Sequence, residues 1–411
     1  MAAPPVDAAE SLDTHFMRHA VVLAERARRQ TAPNPWVGVV ILAGDGKTVL
    51  GEGFHKGPGQ PHAEVEAFRD AERRGAGAAD FAEATLYTTL EPCHRGPGKR
   101  TPPCDELVCS KRVRRVVVGH VDPDPDFGGA GVSFIRAAGI AVDVGVAEDD
   151  VQTSLRAYFH HRQSKRPYVV AKIATSIDGR VACADGTSQW ITQKDAREDA
   201  HRLRADSQAI MVGSETALKD RPSLTVRLPE DAGLRTQPLR VVLDTHGRVV
   251  EGPLMDTKVA PTLVFTSREH CSKEAIAAWQ AAGVEYKEVP LVDAVAEGKS
   301  VDGLGPAKQH LDLEAVLREL AARGVLQLMV EGGAVLHGTM LRAGLCDELR
   351  CYIGATILGG TAKPWSQVEL ARTIGDAEFW RLRRVRQLGS DVCLEYERPG
   401  QEARKSSTAE K

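Results

Sequence analysis

Long apolar runs are missing from this 411-residue sequence. Stretches such as Val325–Val330 reach about half a dozen residues, whereas a membrane-spanning helix needs ~20, so no span and no membrane partner are expected. An excess of basic residues is missing as well: 53 Lys and Arg stand against 56 Asp and Glu, a formal net charge of -3. A protein that grips nucleic acid by its phosphates needs that excess, so no nucleic-acid partner is expected. With 42% apolar and 27% charged residues, the composition is that of a globular chain and not a disordered one. Met1–Asp13 carries Asp7, Glu10 and Asp13, with neither a basic nor an apolar segment, which speaks against a secretory leader or transit peptide. The cytoplasm is the expected compartment, with a plastid left open. Eight cysteines in a chain of this size and setting do not read as a disulfide framework, so their thiols are available for metal work.

What is present is an alternation of β-rich runs and helical stretches, in two regions. The first, 14–150, reads as a compact α/β domain: helices over 15–28 and 62–74 and from about 103, strands over 36–42, 48–53, 84–89, 115–119 and 141–146. Residues 151–166 read as a helical edge and linker, with His160 and His161 as a surface pair. The second α/β domain, 167–399, has strands over 168–175, 209–213, 239–243, 262–266, 326–330, 348–353 and 392–397, and helices over 194–204, 313–323 and 334–342. The stretch 293–309 reads as an exposed loop and 400–411 as a disordered tail.

The chemistry-bearing pattern lies in the first region. Pro61-His62-Ala63-Glu64 opens a helix, Glu91-Pro92-Cys93 follows a strand, and Pro102-Pro103-Cys104 opens the next helix. One His and two Cys supply three ligands to zinc and leave a fourth position for water. A glutamate two residues after the His can sit beside that water without ligating the metal. This order is that of the zinc deaminases, in which a glutamate moves the proton between water and leaving amine. The spacing departs from the usual C-x-x-C, because ten residues, His94 to Pro103, separate the cysteines. Cys109 falls one and a half helical turns beyond Cys104 and points elsewhere; the other five cysteines read as small apolar residues.

These motifs, with Thr31-Ala-Pro-Asn-Pro-Trp-Val-Gly38, Gly51-Glu-Gly-Phe-His55 and Asp122-Pro-Asp-Pro125, resemble the deaminase half of the bifunctional riboflavin-biosynthesis deaminase–reductases. The resemblance implies a cytidine-deaminase-like fold, Zn2+ held by His62, Cys93 and Cys104, and Glu64 as proton shuttle. Asn34, His55 and Asp122 would surround the substrate. The cysteine loop is two residues longer than is usual in the family, which leaves open whether His94 takes the place of a family histidine.

The resemblance continues in Lys172-Ile-Ala-Thr-Ser-Ile-Asp-Gly-Arg180, Gly186-Thr-Ser-Gln-Trp-Ile-Thr192, Val212-Gly-Ser-Glu-Thr216, Asp220-Arg-Pro-Ser-Leu-Thr-Val-Arg227 and Val330-Glu-Gly-Gly333. It implies a dihydrofolate-reductase-like domain using NADPH. Lys172, Ser188, Arg204, Leu224, Arg227 and Glu331 would meet the substrate, with Arg204 and Arg227 forking its phosphate. Trp190, Thr216, Asp220, Thr245, Gly333, Ala334, Val335, Leu336, His337, Gly338 and Thr339 would meet the cofactor. From the residues alone, Glu331-Gly-Gly between strand and helix can present N–H groups to a phosphate, and Asp178 either orients substrate or forms a turn. The implied substrate is a small phosphoribosylaminopyrimidine, first deaminated on the ring and then reduced from ribosyl to ribityl. A homo-oligomer is implied too. Two alternatives stay open: a paralogue running the same chemistries for a flavin-like secondary metabolite, and a protein with one half inactive.

Overall fold

The structure, a computed structural model, describes residues 11–96, 102–124, 128–228, 236–293 and 309–399. The chain divides into two compact units, Met1–Lys165 and Arg166–Lys411. The proposed tail, 400–411, and the interior of the 293–309 loop fall outside the described residues.

In the first unit a five-stranded sheet has the order β2-β1-β3-β4-β5. Strand β1 (Gly38–Leu42) is antiparallel to both β2 (Val49–Phe54) and β3 (Thr85–Leu90); β4 (Arg115–His120) and β5 (Ala141–Val144) continue in parallel. β1 and β3 are buried throughout, which is why their sequences read as unbroken β-rich runs and not as alternation. Helices α1 (Leu12–Glu25), α2 (Ala63–Arg73), α3 (Ala78–Glu83), α4 (Cys104–Lys111) and α5 (Ala130–Ala137) cover the sheet. Its core joins Val39, Ile41, Phe68, Leu86 and Val116.

The segment expected as a helical edge and linker is helical almost to its end. Helix α6 runs from Glu148 to Ser164 and buries Val151, Ser154, Leu155, Ala157, Tyr158, Phe159 and His161. The polar composition misleads here, because the buried stripe is built partly from Ser, Tyr and His. His161 is accordingly not a surface residue: it is 9% exposed.

The second unit holds a nine-stranded sheet. Its parallel part runs β11 (Glu285–Glu288), β10 (Thr262–Thr266), β9 (Leu239–Leu243), β8 (Ala209–Gly213), β14 (Gln327–Val330), β6 (Tyr168–Ser176), β15 (Glu348–Gly354). The antiparallel strands β18 (Asp391–Glu397) and β17 (Arg381–Leu388) finish one edge. Helices α7 (Lys194–Ala205), α8 (Ser214–Asp220), α9 (Lys273–Ala281), α10 (Leu313–Ala322) and α11 (Ala334–Arg342) accompany them. The core is built on Val169, Met211, Val241, Phe265, Leu317 and Leu328. The loop expected over 293–309 begins and ends in a short antiparallel ladder, Leu291–Asp293 with Gln309–Leu311.

Candidate active sites

In the first unit, three chain segments converge. His62 is the extended residue that starts α2, Cys93 follows β3, and Cys104 is the first residue of α4. The Cys104 N–H donates to the Cys93 carbonyl at 3.0 Å, which closes the loop between the cysteines whatever its length. His62 Nδ1 lies 3.6 Å from Cys93 Sγ and 3.3 Å from Cys104 Sγ, and all the ligand atoms lie within 4.8 Å of one another. A hydrogen bond from Cys104 pulls the Cys93 thiol down, and the same bond, with burial, pushes Cys104 up. One thiolate forms readily and a second beside it does not, unless a cation joins them. One imidazole and two thiols meeting at a point is a zinc donor set with a fourth position left for water.

Glu64 is buried one residue into α2, and burial, reinforced by Cys93, pushes its carboxyl up. His55 donates from Nδ1 to the Pro61 carbonyl at 3.1 Å, and its Nε2 accepts from Asn34 Nδ2 at 3.4 Å. That pattern is satisfied only by the neutral ring, and burial lowers the His55 pKa in the same direction. The His55 and His62 rings stand 5.3 Å apart, edge to face, so Asn34 and His55 border the metal-ligand cluster. Two residues before Cys93, the Glu91 carboxylate accepts from the N–H groups of Asp122 (3.1 Å), Gly129 (2.8 Å), Gly131 (2.7 Å) and Val132 (3.1 Å). His94 reaches Asp105, fully buried in the first turn of α4, at 2.5 Å. Its ring is therefore anchored and not a loose loop side chain. Glu91 and Asp105 were visible in the sequence only as neighbours of the cysteines.

In the second unit a cleft of about 1110 Å³ opens where β8, β9 and β14 end. This is the carboxyl end of parallel strands, where α/β sheets bind ligands. Lys172, Ser188, Trp190, Arg204, Thr216, Asp220, Leu224, Arg227, Thr245, Glu331, Gly333, Ala334, Val335, Leu336, His337 and Thr339 all line it. Gly338 does not; a Cβ there would stand 2.5 Å from Val368 Cβ, so it is a close-packing position.

At the cleft floor Arg204 forks the Glu331 carboxylate through Nε and Nη2, the latter at 2.7 Å, and its Nη1 donates to the Thr225 carbonyl at 3.0 Å. Burial alone would push the Glu331 carboxyl up; Arg204 and Lys172 outweigh it and hold it at about 2. The Lys172 ammonium is pushed down by burial. The Arg204 fork is thus taken up by the Glu331 carboxylate, a partner the sequence reading did not name, while Arg227 is exposed on the cleft wall. Trp190 is 67% exposed, with the Arg197 guanidinium 4.7 Å above its ring. His337 is buried, near the Val330 carbonyl (Nε2 at 3.3 Å), and burial lowers it to about 4. Asp178 accepts from Ser176 Oγ (2.6 Å), within its own turn, and from the N–H groups of Leu358 (3.1 Å) and Gly359 (2.8 Å), so it ties that turn to a distant segment. Arg197 and His201 also line the cleft. The sequence signal for them was their spacing from Arg204 on one helix.

Two families match the chain. The cytidine and deoxycytidylate deaminase zinc-binding region covers residues 10–120, and the RibD C-terminal domain covers 167–394. The riboflavin biosynthesis protein RibD of Chlamydia trachomatis serovar D is 40% identical over 389 residues, 93% of this chain and 96% of that protein. That of Escherichia coli K12 is 36% identical over 393 residues, 93% and 98%. Among solved structures, Acinetobacter baumannii RibD aligns with a TM-score of 0.79 at 32% identity, over 94% of this chain and 99% of that one. A Thermotoga maritima diaminohydroxyphosphoribosylaminopyrimidine deaminase/5-amino-6-(5-phosphoribosylamino)uracil reductase aligns at 0.77 and 30%, over 94% and 99%.

Proposed function

Because the chain belongs to the RibD family, the bifunctional deaminases and reductases of riboflavin biosynthesis, we propose that the His62–Cys93–Cys104 cluster and the Arg204–Glu331–Lys172 cleft are its two catalytic centres. The protein is a zinc-dependent hydrolase and an NADPH-dependent oxidoreductase on one chain. Its first substrate is 2,5-diamino-6-(5-phosphoribosylamino)pyrimidin-4-one. The observation that carries the reading is the meeting of one imidazole and two thiols beside the buried Glu64.

Zinc would be held there by His62, Cys93 and Cys104, and would supply the acidity that makes a water nucleophilic near neutral pH. Glu64 takes the water proton and returns it to the departing ring amine; burial, which raises its proton affinity, suits it to both halves of that transfer. Asn34, neutral His55 and Asp122 orient the pyrimidine. In the second cleft, NADPH once bound would supply the hydride that reduces C1′ of the sugar. The first N–H groups of α11, which have no partner inside the helix, border the cleft with Gly333 and would hold the cofactor's phosphates. The charged trio fixes the cleft floor, and Arg227 meets the substrate phosphate.

Identities of 36–40% over nearly the whole length favour riboflavin synthesis over a diverted pathway. Among the described residues no helix is long and apolar enough to cross a membrane. The named relatives are bacterial, which supports the cytoplasm as compartment; a homo-oligomer is part of the proposal, tested by mass in solution. The deciding experiment incubates the diaminopyrimidine phosphate with the protein, with and without NADPH, followed by mass analysis. An amine-to-carbonyl exchange is expected in both, and addition of two hydrogens only with NADPH. Unchanged substrate in both would refute the assignment.

A further inference from the structure

Helix α6 carries Ser154, Tyr158 and Arg162 at intervals of four, and so along one stripe. Each meets a loop that holds a residue assigned above to the pyrimidine. Trp36, two residues after Asn34, donates from Nε1 to Ser154 Oγ at 3.1 Å. Arg162 donates from Nη2 to the carbonyl of Pro33, next to Asn34, at 3.4 Å, and its guanidinium lies 5.0 Å over the Tyr158 ring. The Tyr158 hydroxyl donates to Asp122 Oδ2 at 3.3 Å. The other carboxylate oxygen, Oδ1, accepts from the Asp124 N–H at 3.0 Å. Tyr158 is 4% exposed, so no water competes freely for its hydroxyl. Two loops far apart in sequence are thereby referred to a single helix face, on an element whose polar composition hides its role.

We propose that Tyr158 is a positioning residue of the deaminase centre: its hydroxyl fixes the rotamer of Asp122, and Arg162, stacked on its ring, refers that setting to the Asn34 loop. The pyrimidine then meets Asn34 and Asp122 in one preset geometry instead of paying for it on binding. The proposal rests on the reading that Asp122 borders the substrate. Tyr158→Phe removes the hydroxyl alone and leaves the ring beneath Arg162, so packing is retained.

The experiment uses the full chain loaded with zinc, as Tyr158→Phe, Asp122→Asn and the double variant. It measures KM and kcat for ammonia release from the diaminopyrimidine phosphate, zinc content, and NADPH oxidation on the deaminated intermediate. Loss of one hydrogen bond to a carboxylate predicts a KM about tenfold higher in Tyr158→Phe, with zinc content and NADPH oxidation unchanged. The double variant should match Asp122→Asn alone, because the tyrosine acts on the pyrimidine only through the Asp122 carboxylate. A KM within about twofold of the parent, beside an impaired Asp122→Asn, overturns the positioning role and leaves the site reading standing. An unimpaired Asp122→Asn overturns both. Zinc loss in Tyr158→Phe, or additive effects in the double variant, overturns the proposal in favour of a merely structural tyrosine.

Discussion

Glu64 and Glu331 are both buried carboxyls, and their surroundings push them in opposite directions. Burial and the neighbouring Cys93 raise Glu64, whereas Arg204 and Lys172 overcome burial and hold Glu331 at about 2. The first suits a group that must gain and lose a proton; the second suits a permanent charge. Glu64→Gln keeps the shape and removes the proton transfer. Ammonia release should fall by ~10²–10⁴, while NADPH oxidation on the deaminated intermediate continues. Joint loss of both activities in a folded variant would contradict two separate centres. His337 offers a test of burial itself. Its pKa is lowered from 6.5 to about 4 in the fold. Between those values the unfolded chain binds the extra proton and the folded one does not, so stability falls as pH drops from 6.5 towards 4. The contribution is roughly 3 kcal/mol by linkage, an upper figure for one buried ring. Melting the full chain across this window should show a shallower loss of Tm in His337→Asn than in the parent; equal slopes would mean the ring is not held neutral.

Elements explain why some motif residues are what they are. Gly51 and Gly53 lie on β2 beneath α2: a Cβ at Gly53 would stand 2.3 Å from the Ala63 carbonyl oxygen and 2.3 Å from the Ala67 nitrogen. The helix that presents His62 and Glu64 therefore rests backbone-close on the strand. Gly53→Ala must lift α2, at a cost of about 1–3 kcal/mol typical of overpacking. Zinc content and ammonia release should both drop, and NADPH oxidation should not; full zinc retention would show that α2 tolerates the displacement. The Gly-Glu-Gly-Phe-His run was legible as a motif, but its reason is a helix that only the fold puts there. Strand β17 was not legible at all. Its Arg-rich sequence, Arg381–Leu388, is an exposed edge, and charged residues on an edge erase the alternation that marks a strand while guarding it from unwanted pairing. α9 was missed for a related reason: of its nine residues only Ala275 and Trp279 are buried.

At the scale of the molecule each unit has its own apolar core, Val39–Phe68–Val116 in one and Met211–Val241–Leu328 in the other. The activities should accordingly separate. Stripping zinc with a chelator should abolish ammonia release and leave NADPH oxidation on the deaminated intermediate intact, and adding zinc back should restore the first. A chelator that silenced both would show that the units are coupled. The -3 charge and the missing apolar runs speak by themselves against nucleic-acid and membrane partners, because both demand a bulk property of composition. The order of His62, Glu64, Cys93 and Cys104 was likewise legible, since helix starts and strand ends place ligands by local geometry alone. Three things were decided only by tertiary structure. Arg204 forks the Glu331 carboxylate, the expected helical edge continues as α6 through the expected linker and belongs to the first unit, and His161 is buried. Each depends on a partner far away in the chain, and neither the charge nor the polarity of a residue says which distant surface will desolvate it.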